Sequence, residues 1–198
     1  DLPKLTLKGF ADVGFTTKLD RAESSNTFAL GSVDLYMTSE LTDRVSALVE
    51  ANFVSTQDNA ASLAFQRGLL KYSLSDLLNV TIAARMHTPL GYWNQAYHHG
   101  SWLQTTISRP DIYLFEGDDG GFLPVHSVGI ELSGVKAFDG VDAGYAFDVV
   151  NGRGRTVTEV QHAKDKNDAK ALNVLLSLKP HAIEGLQFGA SLYRDEIP

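Results

Sequence analysis

The chain contains no cysteine, which removes disulfide frameworks, thiolate metal sites and c-type haem attachment together. It also lacks any apolar run near the roughly 18 residues that a membrane-spanning helix needs. A helical membrane protein is thereby excluded, but a strand-built one is not. Strands that show an apolar environment only every second side chain keep their mean hydropathy near neutral, and the value here is -0.10. Basic charge is scarce and scattered: 17 Lys and Arg stand against 24 Asp and Glu, for a net charge of -7. That balance argues against a nucleic-acid partner, because phosphate backbones reward clustered basic surface. Residue 1 is Asp, and no signal-peptide apolar core precedes it, as expected of a mature N-terminus.

What the 198 residues do carry is period-two alternation, repeated along the chain. Over residues 4–17, Leu5, Leu7, Ala11, Val13 and Phe15 alternate with Thr6, Lys8, Asp12, Gly14 and Thr16. Over 27–40, Ala29, Gly31, Val33, Leu35 and Met37 oppose Ser32, Asp34, Tyr36, Thr38 and Glu40. Over 44–55 the apolar set is Val45, Ala47, Val49, Ala51 and Phe53, and over 78–87 it is Val80, Ile82, Ala84 and Met86. Further strands are expected at 63–74, 125–134, 141–151, 171–179 and 186–194, making about nine. In the least regular of them, 63–74, Arg67 and Lys71 mark the polar face.

Alternation alone suits any antiparallel sheet with one wet face, a soluble β-sandwich included. Two features favour a transmembrane barrel. The strands approach the 9–11 residues or so that a tilted strand needs to cross a bilayer. The connections also alternate strictly between short (41–43, 75–77, 135–140, 180–185) and long and polar (18–26, 56–62, 88–124, 152–170). Tight turns on one side and long loops on the other are the habit of outer-membrane barrels. The fold class expected is therefore all-β: an antiparallel transmembrane β-barrel in one domain, residues 1–198. Its N-terminus would lie in the periplasm and its long loops outside the cell. Single-chain barrels use an even strand number, and no closing strand with a terminal aromatic is seen. The nine strands read as part of a larger barrel, for example one of about 16.

The connection 88–124 concentrates both tryptophans (Trp93, Trp102), Tyr92, Tyr97, Tyr113, His98, His99 and Arg109. A connection of that length is uncommon without a task. The strand and loop pattern, with the segment RMHTPLGYWNQAYHHGSWLQTTISRPDIYLFEGDDGGFLP, resembles the Gram-negative porin superfamily. The nearest group is the porins related to phosphate- and polyphosphate-selective channels. The resemblance implies passive diffusion of small hydrophilic solutes or ions across the bacterial outer membrane. It implies lipid as the surrounding partner, a homotrimeric assembly and no cofactor. It further implies that loop 88–124 folds into the pore as a constriction. Phosphate selectivity in that group rests on a lumenal ladder of Arg and Lys. Here the predicted lumen mixes Lys8, Arg67, Lys71 and Arg85 with Asp12, Asp34, Glu40, Glu50, Glu131, Asp142 and Asp148.

Candidate pore residues are Lys8, Arg67, Lys71, Arg85, His87, Arg109, Glu116, Asp118 and Asp119. The bases on two neighbouring strands, set against an acidic loop tip, would make a transverse field; charged rings of this kind tune ion selectivity. His98-His99 with His87 or His126 makes a poor metal chelate, because adjacent residues on an extended chain point apart. Glu116, Asp118 and Asp119 read as solvated acids rather than a Ca²⁺ site. Ser101 and Ser108 carry no nucleophile-elbow motif, so no enzyme is expected. A structural role in an outer-membrane assembly, or a barrel enzyme, are the competing functions.

Overall fold

The structure, a computed structural model, describes residues 3–17, 26–55, 61–97, 104, 106, 109–114, 121, 123–155, 159, 164–165 and 167–197. Nine long strands follow from the alternating segments: β1 (Lys4–Thr17), β2 (Asn26–Glu40), β3 (Val45–Ser55), β4 (Ala61–Ser75), β5 (Leu78–His87), β6 (His126–Phe138), β7 (Val141–Asn151), β8 (Lys170–Pro180) and β9 (Phe188–Arg194). Each pairs antiparallel with its sequence neighbour, giving one sheet in the order β1 to β9. The sheet is open: β1 and β9 are its outer strands, and no ladder joins them among the described residues.

Tight connections close one end. Asp76 and Leu77 join β4 to β5, and Asp139-Gly140 joins β6 to β7. Gly140 has φ 81°, the left-handed conformation that a two-residue Asp-Gly hairpin uses. Strand β6 is longer than the alternation suggested, because Val135–Phe138 pair with Val141–Gly144 instead of looping. The long connections all leave from the other end. Those at 18–25 and 56–60 lie outside the described residues.

Directly paired residues share a face, so the register resolves two faces. The first is a broad apolar band. Leu7 and Met37, Val13 and Leu30, Phe15 and Phe28, Phe53 and Leu63, Ile82 and Ile130, and Leu176 and Ala190 are all register partners on it. These side chains are exposed: Leu7 by 62%, Phe28 by 79%, Ile82 by 59% and Leu192 by 66%. The second face carries cross-strand polar rows. Lys8, Tyr36, Glu50 and Arg67 form one across β1–β4. Ser46, Lys71, Thr81, Glu131, Asp148, Asn173 and Tyr193 form another from β3 to β9. It is this polar face that is sheltered: Asp34, Glu50, Asp148 and Asn173 have no exposed surface. A small apolar cluster of Ala83, Met86, Val150 and Ala171, flanked by Leu69 and Tyr193, lies beside the polar row.

Register slips between paired strands shift the phase that strict alternation implied. Between β1 and β2 the register slips past Ala11 and Val13. Beyond the slip Phe28 and Leu30, not Ala29 and Gly31, occupy the apolar band opposite Phe15 and Val13. A second slip lies between Ala83 and Met86, and it brings Met86 into the sheltered cluster rather than the apolar band. One extra residue in a strand reverses the side of everything beyond it.

Candidate functional site

The sheltered face of the sheet and the segment after β5 together form the most structured polar region. Following β5, Thr88, Pro89 and Leu90 are buried and lead into a short helix, α1 (Gly91–Ala96). Gly91 adopts φ 67°, and a Cβ there would meet the Tyr113 hydroxyl. Only glycine allows both the turn and the contact.

Asn94 is the anchor of this segment. Fully buried, its amide nitrogen donates to the Thr88 carbonyl (3.0 Å), the Thr88 hydroxyl (3.0 Å) and the Val125 carbonyl (2.8 Å). Its amide oxygen accepts from Arg109 Nη2 at 3.0 Å. The Thr88 hydroxyl in turn donates to the Pro124 carbonyl at 2.6 Å. These bonds tie the start of connection 88–124 to its end. Arg109 also donates through Nε to the Tyr113 carbonyl, capping a 3-10 turn at Asp111–Tyr113. Burial pushes the Tyr113 phenol above its ordinary pKa, so the group stays neutral.

The segment reaches far across the sheet. The Gly91 amide donates to Ser191 Oγ on β9 at 3.0 Å, and that hydroxyl donates to the Pro89 carbonyl at 3.4 Å. Ser191 is in register with Leu175, Ala146, Ser133 and finally Asn79 on β5. On a flat sheet, four strand spacings of roughly 4.8 Å and eight residues of about 3.3 Å would set Ser191 about 30 Å from His87. Gly91, four residues past His87, can reach at most about 14 Å. The sheet must therefore coil strongly, swinging β9 toward the segment that leaves β5. Ser191 shares its face with the buried Ala146, so the segment crosses the sheltered, polar side.

The polar rows hold few net charges without partners. Glu50 pairs with Arg67, and the guanidinium stands 5.8 Å from the Tyr36 ring centre. Asp34 accepts from Asn52 Nδ2 at 2.7 Å and from Ser32 Oγ at 3.3 Å. Asp12 accepts from the Ser32 amide and hydroxyl at 3.0 and 3.1 Å. Asn173 donates to Asp148 at 3.3 Å, and Asp148 stands opposite Glu131. Amide and hydroxyl donors, as well as bases, offset the buried carboxylates, as a sheltered charge requires.

Of the candidate pore residues, Lys8, Arg67 and Lys71 share the sheltered face. Arg85 does not join them by register. The slip between Gly68 and Leu69 sets it opposite Gly68, itself paired with Val49 of the apolar band, whereas Lys71 stands opposite Thr81. Arg85 bonds instead to His126 Nδ1 at 2.9 Å. His87 is the register partner of His126, with ring centres 5.4 Å apart. Arg109 braces the 88–124 connection from within. Glu116, Asp118 and Asp119 lie outside the described residues, as do His98 and His99. Among the described residues no group of three His, Asp or Glu is placed to hold a metal ion. Asn94 and Ser191, which seat the loop, carry no local sequence signal, since their partners lie far along the chain. No family model matches the chain, and no curated protein or solved structure is significantly similar to it.

Proposed function

We propose that the sheet is the wall of an outer-membrane barrel and that the protein is a porin-like channel for small hydrophilic solutes. The observation that carries this reading is the inverted distribution of polarity. Large apolar side chains cover one face of all nine strands and are exposed, while carboxylates and amides on the other face are buried. In water each large apolar side chain left exposed forgoes roughly 1.5–3 kcal/mol of burial, and soluble monomers rarely show apolar patches beyond a few hundred Å². Lipid against the apolar band removes the penalty. The polar face then lines a lumen, and the 88–124 connection narrows it by crossing from β5 to Ser191. No helix among the described residues is long and apolar enough to cross a membrane, so strands would provide the crossing.

The test is conductance of the full-length protein in planar bilayers. Stepwise single-channel currents are expected, with the reversal potential in a salt gradient moved toward cations by Arg67→Glu. Protein that inserts into the bilayer and passes no current would sink the channel reading.

A further inference from the structure

We infer that the cavity between α1 and strands β8 and β9 binds a neutral, polyhydroxylated solute such as a short sugar. The inference deepens the channel reading by naming a solute class, although binding itself needs no conduction. The cavity measures about 670 Å³, inside the range of roughly 300–1,000 Å³ typical of small-molecule sites. Tyr92, Tyr97 and Tyr113 form its aromatic wall, and Gln95, Gln187 and Ser191 supply its polar groups. Among the described residues that line it none is charged, although the polar rows on the same face of the sheet hold Lys71, Glu131 and Asp148.

That composition selects by chemistry. A phosphate or carboxylate entering this space would lose hydration and meet no opposite charge among the described lining residues, which is costly. A sugar has one face of C–H groups and a rim of hydroxyls. Its weakly positive C–H face matches the negative face of a phenol ring, and each glutamine amide offers both donors and acceptors to neighbouring hydroxyls. Tyr92 is 61% exposed, which leaves ring surface available. It is held edge-on against Tyr97, at 6.0 Å and 84°. Tyr113, whose phenol burial pushes above its ordinary pKa, lies against Gly91. The bonds from Gly91 to Ser191 and from Ser191 to Pro89 fix the two walls relative to one another. A preformed site loses less on binding than one that must order itself.

Titration of the full-length protein in detergent with maltotriose, read by calorimetry, tests the site. Glucose and glucose 6-phosphate serve as a neutral and charged pair. Saturable maltotriose binding is expected, with Tyr92→Ala and Gln187→Ala each weakening it about tenfold. Glucose 6-phosphate should bind at least about tenfold more weakly than glucose. Both altered side chains are exposed, so neither variant threatens the fold, and thermal unfolding confirms this. Equal binding of the phosphate ester, or unchanged maltotriose binding in the double variant, overturns the inference. Sugar binding without bilayer conductance upholds the site and removes the channel; conductance without sugar binding does the reverse.

Discussion

Replacing Ile82 by Arg has opposite consequences for a sheet in water and a sheet in lipid. Ile82 lies near the middle of β5 and is 59% exposed, between Leu70 of β4 and Ile130 of β6 on the apolar band. Its register partners place it on the face opposite the polar rows. For a soluble protein, exchanging such an exposed side chain for a long cation shifts stability by about 0.5 kcal/mol or less, and solubility improves. With lipid against the band, a guanidinium near the bilayer midplane costs about 2–4 kcal/mol. At the lower bound this is a change of roughly thirtyfold in the folding equilibrium. The assay is equilibrium urea unfolding in phospholipid vesicles, followed by the fluorescence of Trp93 and Trp102. Ile82→Leu, which keeps the chemistry, provides the control and should stay within about 1.5 kcal/mol of the parent. An Arg variant as stable in vesicles as the parent would refute the assignment of this face to lipid. So would a parent protein that stays monodisperse without detergent.

Two further outcomes test the polar side. Arg67→Met should cost about 3 kcal/mol, because it removes the guanidinium paired with Glu50, which has no exposed surface; Glu50→Leu in the same chain should restore most of that in chemical unfolding. A single variant within about 1 kcal/mol of the parent would show that water reaches Glu50 freely. Asn94→Ala removes the amide whose two N–H groups are shared among the Thr88 carbonyl, the Thr88 hydroxyl and the Val125 carbonyl, and should cost about 2–3 kcal/mol. Hydrogen exchange at the amides of Gly91 and Tyr113 should then accelerate while exchange in β6 and β7 stays slow.

The strands were legible because their cause is local. Period-two alternation is a property of neighbouring residues, and it located all nine strands, most of the short turns and the polar identity of Glu50, Arg67, Lys71 and Asp148. The short connection at 135–140 was placed for the same local reason, although pairing of Val135–Phe138 narrows the turn itself to Asp139-Gly140. Alternation does not reveal where the phase slips. The bulges that bring Phe28 and Leu30 to the apolar band, and that separate Arg85 from Lys71, depend on how one strand aligns with the next.

The site itself was further from reach. The length and aromatic content of 88–124 singled it out, but not its seat. Gly91 meets Ser191 a hundred residues later, and that meeting requires the coiling of the sheet from β5 to β9. The tyrosine-lined cavity exists only because β9 swings over to α1. Composition and alternation thus determined the strands and the chemistry of their two faces. Which face is sheltered, which bases share it and what the loop rests on were decided by register and curvature, which couple residues that local pattern keeps independent.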